Sequence, residues 1–255
     1  MNKYFVFADA HVQPDTSLDH LERMGNLVVN ARPEYIVNLG DFGSYDSLSH
    51  WDVGKPKLME GRRIARDLRS VTAGLYRFFL PIIELQEKQR HDKKRVYRPT
   101  IIWCDGNHED RVARYVEHTP VLEDVIPTQL ELFPEELDYR VIHHVPYKDY
   151  VTINGISFTH APITANAQAV SGKYALHRAL EPFNTHIVFG HLHRYEIVNK
   201  YKHGTGGLQQ AISCGCSFLH ELEYSKGAAN DYFKCCMLLT QRNDGLLDTH
   251  TFTLN

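Results

Sequence analysis

The sequence predicts an α/β protein, and two patterns of apolar residues indicate this class. Four short apolar runs typical of buried strands, at 4–7, 35–37, 101–103 and 187–189, are each followed closely by polar residues. Apolar residues recur at helical three- and four-residue steps from 64 to 82, and short strands dominate from 139 onward. Open α/β sheets carry their ligand sites at the carboxyl ends of strands, so the polar residues there are candidate site residues.

Length and composition are compatible with one domain over 1–255. The chain has 255 residues, of which 43% are apolar and 23% charged, as in ordinary globular proteins. No apolar stretch approaches the roughly 20 residues that span a bilayer, so no membrane partner is expected. The N-terminal residues run directly into the first strand, so no signal peptide is expected.

Five cysteines, an odd number, suggest free thiols rather than a disulfide framework. Cys214 and Cys216 lack the second pair of thiols that a zinc site needs, and we expect them to be small buried residues. Free thiols and the missing export signal predict a cytoplasmic location.

A basic segment lies between the second and third polar motifs. From Lys55 to Arg98 there are 13 Lys and Arg against 5 Asp and Glu, although the whole chain carries a net charge of −3. The helical period over 64–82 predicts a long helix or helical hairpin, inserted at about 47–95 near the mouth of the site, with Pro81 kinking or ending it. Arg62, Arg66 and Arg69 are spaced to line one helix face, which either is solvated or contacts phosphates of a nucleotide or nucleic acid.

The remaining elements follow from local signals. A helix is predicted to start near Asp110, and residues 120–134 form loop and short helix. Asn154-Gly155 predicts a hairpin, and 204–207 predict another turn. Strands are predicted at 139–143, 150–153, 156–160, 186–189, 197–201, 208–213, 233–239 and 249–254.

Five polar segments, in a fixed order, carry the chemistry. They supply Asp and His in the first, an Asp in the second, Asn-His-Glu in the third, a lone His in the fourth and two alternating His in the fifth. The segments are Asp9-Ala-His11, Gly40-Asp41, Gly106-Asn107-His108-Glu109, His160 and Gly190-His191-Leu-His193.

This ordered set resembles the signature of the calcineurin-like metallophosphoesterases. Each short motif alone, such as Asp9-Ala-His11 or Gly40-Asp41, is a weak signal. The full set, in this order and after successive strands, is specific. The resemblance implies a four-layer α/β/β/α sandwich of two mixed sheets flanked by helices, here with a helical insertion. The periodicity agrees with that architecture.

The resemblance also implies two divalent metal ions per chain. The first ion is expected on Asp9, His11, Asp41 and His193, and the second on Asp41, Asn107, His160 and His191, so Asp41 bridges the pair. Imidazole, carboxylate and amide oxygen suit Mn, Fe or Zn better than Ca or Mg. We expect Mn²⁺, with Fe, Zn or Ni as alternatives.

His108, Asp41 and Asn107 are the expected catalytic residues. The resemblance implies that a metal-bound hydroxide attacks phosphorus and that His108 protonates the leaving oxygen; orientation of a ligand is the alternative for His108. Glu109 is expected to orient a ligand by hydrogen bonding. Candidate substrate contacts are Asn107, His108, Arg111, Arg114, Arg62, Arg66 and Arg69; Arg111 and Arg114 could instead pair with Asp110 or Glu117.

A phosphoester substrate is therefore expected, and a nucleotide or nucleic-acid phosphodiester is favoured by the arginine-rich segment. Phe42-Gly-Ser-Tyr-Asp46 follows Gly40-Asp41 here, whereas many members of that family continue with further acidic or arginine residues, so substrate contacts of the protein phosphatases are not expected to transfer. A phosphomonoesterase acting on a nucleotide or another small molecule is the alternative, and a non-catalytic binding scaffold is a remote one. Oligomeric state is not predicted.

Overall fold

The computed structural model describes residues 1–202, 207–222 and 230–254. Two mixed β-sheets lie at its centre. The first has the order β11-β10-β1-β2-β3-β4, in which β1 to β4 are parallel neighbours and β10 pairs antiparallel with β1 and β11. Its strands are β1 (Lys3–Phe7), β2 (Tyr35–Asn38), β3 (Thr100–Cys104), β4 (Val141–Val145), β10 (Cys235–Gln241) and β11 (Leu247–Thr253).

The second sheet has the order β5-β6-β7-β9-β8. Its three central strands β6, β7 and β9 are parallel neighbours, and its outer strands β5 and β8 pair antiparallel. The strands are β5 (Val151–Ile153), β6 (Ile156–Thr159), β7 (His186–Phe189), β8 (Tyr195–Lys202) and β9 (Gly207–Cys214).

Helices cover the outer faces of both sheets. Short three-ten turns at 46–48, 50–52, 120–122 and 130–132 lie in the connections. The helices are α1 (Asp19–Ala31), α2 (Pro56–Met59), α3 (Ile64–His91), α4 (Asp110–His118) and α5 (Ala175–Ala179).

Three apolar layers separate these elements. Between the sheets, Val6 and Ile102 of the first sheet pack with Phe158 and Val188 of the second. Outside the first sheet, α1 and α3 bury Leu21 and Phe78 against it, and outside the second sheet α5 buries Leu176. The layers are therefore helix, sheet, sheet and helix, which confirms the predicted sandwich of two mixed sheets flanked by helices.

Helix α3 connects β2 to β3, which are parallel neighbours and therefore need a crossover. The predicted end at Pro81 is wrong, because the helix continues for ten residues to His91. An exposed stretch at 91–95 then leads to β3. Gly25 of α1 faces this part of α3: a Cβ there would overlap the carbonyl oxygen of Phe78 and meet the Pro81 ring.

The strands of the second half agree with prediction to within a few residues, and Asn154 and Gly155 form the expected turn with φ of 52° and 78°. The predicted turn at 204–207 lies largely outside the described residues. Among the described residues no helix has the length and apolarity to cross a membrane. All five cysteines are buried and free, as expected.

Candidate metal centre

The polar motifs meet where the two sheets end together, on backbone of unusual conformation. Five of their residues other than glycine have positive φ values: 53° at Asp9, 45° at His11, 51° at Asp41, 68° at His191 and 58° at His193. Left-handed conformations are costly for residues other than glycine and cluster at functional sites. At these residues the chain turns sharply after the strand, and the side chains of the different motifs therefore point towards a common centre.

The first group of ligand atoms comes from Asp9, His11 and His193, and all three residues are buried. His11 Nε2 lies 3.2 Å from His193 Nε2, and His193 Nε2 lies 3.2 Å from Asp9 Oδ1. Asp9 Oδ1 accepts no hydrogen bond among the described residues, although it is buried. Two imidazole nitrogens and an unsatisfied carboxylate oxygen facing one point form an arrangement that a cation can satisfy.

The second group is centred on the Asp41 carboxylate. Asp41 Oδ2 lies 3.5 Å from His160 Nε2 and 3.9 Å from His11 Nε2, so it lies between the two groups. Asn107 Oδ1 is 3.1 Å from His160 Nε2. His191 lies beside His160, with 5.1 Å between the ring centroids, and its backbone N–H donates to Asp9 Oδ2. The structure therefore brings together all seven residues expected as ligands.

Backbone carbonyls orient two of the histidines. His160 Nδ1 donates to the Leu39 carbonyl at 2.8 Å, and His108 Nδ1 donates to the Ser44 carbonyl at the same distance. Each bond places the ring proton on Nδ1 and leaves Nε2 facing the site.

Burial sets the protonation of the site in the absence of a cation. Burial and the neighbouring Asp9 raise the pKa of Asp41 to about 8. Burial also lowers the pKa of His191 to about 4 and that of His11 well below its usual range, with the neighbouring histidines adding to the shift. The imidazoles of His11 and His191 are thus neutral, the form that binds metals, and a cation would relieve the repulsion between the carboxylates of Asp9 and Asp41.

Glu109 forms hydrogen bonds with the backbone of the site and not, as expected, with the side chain of a candidate ligand. Its Oε2 accepts the N–H groups of Asp41 at 2.9 Å and Gly106 at 2.7 Å, and its Oε1 accepts Gly43 N–H at 3.0 Å. Gln129 Nε2 adds a fourth bond at 2.7 Å. The buried carboxylate therefore ties the loop after β2 to the loop after β3.

Two glycines permit this close approach. A Cβ at Gly106 would overlap Asp41 Oδ1, and one at Gly190 would lie 2.8 Å from Asp9 Oδ2. Each of these two glycines therefore leaves room for the carboxylate of another motif.

Arg111, in the first turn of α4, lies beside His108. Its Nη2 is 3.3 Å from His108 Nε2, and its Nη1 donates to the Ser44 carbonyl at 2.8 Å and to Asp46 Oδ1 at 3.0 Å. Arg114 instead pairs with Asp110 at 2.9 Å on the exposed side of the helix.

A cavity of about 680 Å³ opens beside the ligand cluster. Side chains of Asp41, Asn107, His108, His191 and His193 form one part of its wall, and the remainder comes from loops and helices outside the motifs. These residues include Gln13, Asp46, Trp51, Lys55, Leu58, Arg62, Arg111 and Tyr232.

The three arginines of the predicted stripe do not share a helix face. Arg62 precedes the first residue of α3 because the helix begins at Ile64, and it lines the cavity. Arg66 pairs with Asp15 at 2.8 Å and lines a smaller neighbouring cavity, and Arg69 is exposed on α3. The expectation of one continuous arginine stripe is wrong for this reason.

Sequence reasoning missed several residues of the site and its cavity wall. Asp46, Trp51 and Tyr232 line the cavity, and Gln129 supports Glu109. Asp46 stood in the segment after Gly40-Asp41, but nothing in its spacing showed that it would meet Arg111. Gln129 lies 20 residues from Glu109 in a region without a motif, so its role depends on tertiary structure.

Comparisons with known proteins give only structural matches. No protein-family model matches the sequence, and no curated protein matches it. A metallophosphoesterase from Sphaerobacter thermophilus matches with a TM-score of 0.47 and 14% identity, covering 98% of this chain and 88% of that chain.

Two further solved structures match over a similar share of the chain. A dimetal phosphatase from Danio rerio has a TM-score of 0.38 and 13% identity, over 100% of this chain and 99% of the other. Vps29 from Chaetomium thermophilum has a TM-score of 0.41 and 8% identity, over 99% and 97%. The chemistry of the site therefore rests on this chain's own residues.

Proposed function

We propose that this chain is a dinuclear metal-dependent phosphoester hydrolase. The observation that carries the proposal is the buried cluster in which Asp41 Oδ2 lies between His11 and His160, while Asp9 Oδ1 faces His193 without a hydrogen bond. Asp9, His11, Asp41 and His193 would hold one divalent cation, and Asp41, Asn107, His160 and His191 the other. Mn²⁺ suits this donor set, and Fe, Zn or Ni are alternatives.

Two cations at this place would neutralise a phosphate and lower the pKa of a water between them. The protein's own contribution is rigidity, because the ligands lie on strand ends fixed by the Glu109 and carbonyl hydrogen bonds. Burial of the cluster excludes bulk water and strengthens each electrostatic contact.

His108 and Arg111 are the groups that would meet the substrate. His108 Nε2 is 3.9 Å from Asp41 Oδ2 and lines the cavity, which suits a proton donor to the leaving oxygen. Arg111 donates to Nε2 in the free protein, so that nitrogen can carry a proton only when the guanidinium turns to another acceptor. A substrate phosphate is such an acceptor, and bidentate contact with arginine is favourable.

We infer a phosphodiester of a nucleotide or nucleic acid as the substrate class. The cavity is larger than a phosphate needs, and roughly 300–1,000 Å³ is typical of sites for drug-sized ligands. Lys55, Arg62 and Arg111 line it and would attract an anionic substrate. A phosphomonoesterase on a nucleotide or another small molecule is the second candidate, since it needs the same cations and the same acid.

Free buried thiols favour a reducing compartment, and we infer a cytoplasmic location from them.

Turnover of two nitrophenyl esters distinguishes the candidates. Metal-stripped protein reloaded with Mn²⁺ is assayed on bis(p-nitrophenyl) phosphate and on p-nitrophenyl phosphate. We expect a higher kcat/KM for the diester. Preference for the monoester would establish the second candidate. If neither ester is hydrolysed although two metals are bound, the proposed activity on simple esters is contradicted, and a non-catalytic binding scaffold becomes the better explanation.

A further inference from the structure

We propose that the cavity beside the ligand cluster contains a second phosphate subsite formed by Arg62 and Lys55, with Trp51 as a stacking surface for a nucleobase. The inference rests on the proposed phosphoesterase function and specifies its substrate. The chemistry recognised is a nucleoside with a phosphate next to the scissile one, supplied by the end of a nucleic-acid strand or by a free nucleotide.

The guanidinium of Arg62 is fixed, yet it keeps donors for a ligand. Its side chain is 18% exposed, and Nη1 donates to the Asp46 carbonyl at 3.1 Å, to Asp52 Oδ2 at 2.8 Å and to Met59 Sδ at 3.6 Å. In the part of the chain that the structure describes, all three of these bonds use Nη1. Nε and Nη2 therefore remain available to an anion in the cavity.

The local charge also favours an anion. Asp52 lies between two cations, with its Oδ1 2.9 Å from Lys55 Nζ and its Oδ2 2.8 Å from Arg62 Nη1. Asp52, Lys55 and Arg62 together carry one net positive charge, and Asp46 in the same wall is paired with Arg111. A positive charge in a partly enclosed cavity attracts phosphate more strongly than it would on open surface.

Asp46 links this subsite to the catalytic one. Its side-chain Oδ1 accepts from Arg111 Nη1, the arginine beside His108, while its carbonyl oxygen accepts from Arg62 Nη1. Two guanidinium groups are thus held by the two ends of one residue. That arrangement sets a short, fixed separation between two anion-binding groups, as two neighbouring phosphates of a nucleotide chain require.

Trp51 provides the remaining contact. It lines the same cavity, and 82% of its surface is exposed. Large aromatic side chains are usually buried, and exposed ones stack on bases without sequence preference because every base has a π-face. The indole lies four residues before Lys55 in the chain, so the base and the second phosphate would contact the same segment.

Tryptophan fluorescence tests this subsite without relying on catalysis. The chain has two tryptophans, of which Trp103 is fully buried, so a ligand in the cavity quenches Trp51. Metal-free protein is titrated with 5′-phosphorylated dithymidine, with unphosphorylated dithymidine and with thymidine diphosphate. We expect saturable quenching by the phosphorylated ligands, loss of the signal in Trp51→Phe, and at least tenfold weaker binding in Lys55→Ala.

Lys57→Ala is the matched control, because Lys57 is exposed in the same segment and does not line the cavity. Tighter binding of phosphorylated dithymidine than of the diphosphate supports a strand end as the ligand, and the reverse order supports a free nucleotide. Equal affinity for the two dithymidines, or equal weakening by Lys55→Ala and Lys57→Ala, would overturn the subsite.

Hydrolysis of bis(p-nitrophenyl) phosphate by the Mn²⁺-loaded protein separates the two proposals, because that ester has no second phosphate. Quenching without hydrolysis would support the subsite and overturn the proposed function. Hydrolysis without quenching would overturn the subsite alone.

Discussion

Glu109 Oε2 accepts the backbone N–H of Asp41 at 2.9 Å, so a residue of the third motif fixes the residue that lies between the two ligand groups. The two residues are 68 positions apart in the chain, and both are buried. Burial and the Asp41 carboxylate raise the pKa of Glu109 to about 8, whereas the N–H groups of Gly43 and Gly106 favour its ionised form. Its hydrogen bonds therefore fix the backbone segments on which the candidate ligands lie.

Glu109→Gln should destabilise the protein. Both oxygens of Glu109 accept hydrogen bonds from two donors each, so a glutamine would place its NH₂ group against donors. We expect a loss of about 1–3 kcal/mol in the free energy of unfolding, measured by urea denaturation of metal-free protein. Glu117→Gln, an exposed change on α4, is the control. Equal stability of the two variants would refute the role of Glu109.

Gly106→Ala should weaken metal binding. The new methyl group would overlap Asp41 Oδ1 and lie 2.5 Å from its backbone nitrogen, so the carboxylate must move. We expect Mn²⁺ affinity to fall at least tenfold in calorimetric titration. Gly207→Ala is the control, since no atom of the described residues beyond its chain neighbours lies within 4 Å of a Cβ placed there. Unchanged affinity in Gly106→Ala would show that Asp41 is not held as described.

His108→Gln should slow esters with poor leaving groups most. A positioned acid contributes about 10²–10⁴-fold when the leaving oxygen needs a proton, and much less for nitrophenolate. The measurement compares kcat on an alkyl ester and on a nitrophenyl ester, with the exposed His91→Gln as control. Equal losses on both esters would argue for a purely orienting role of His108.

The cysteines should be unreactive in the folded protein. Burial raises the pKa of Cys235 to about 12 and that of Cys216 above its usual range, so the thiolate form is scarce below pH 9. We expect almost no reaction with dithionitrobenzoate at pH 8 in buffer, and five thiols in denaturant. Fast labelling of native protein at pH 8 would contradict this burial.

The sequence predicted the strands and the convergence of the motif residues because both depend on local pattern. Each ligand follows an apolar strand, and the carboxyl ends of parallel strands meet at one edge, so the motifs were expected to converge. Asn154-Gly155 fixed its turn through the left-handed conformations that these residues tolerate.

Other features depended on tertiary contacts that no local pattern contains. One expectation was that the helix ends at Pro81, but α3, which packs against α1 at Gly25, continues to His91. Arg62 was placed on a helix face by spacing, yet its bonds to Asp46 and Asp52 hold it in the loop before α3. Trp51 belongs to no motif or periodic pattern in the sequence, and only the structure shows that it lines the cavity.

The number of Mn²⁺ ions bound per chain tests the central claim most directly. Metal-stripped wild-type protein and Asp41→Asn are titrated with Mn²⁺ in a calorimeter, with Asp248→Asn as a control for an exposed carboxylate. We predict two ions per chain for wild type and control, and loss of tight binding at both positions in Asp41→Asn because its carboxylate lies between the two ligand groups. A single ion in the wild type, or two in Asp41→Asn with unchanged affinity, would contradict a dinuclear centre bridged by Asp41.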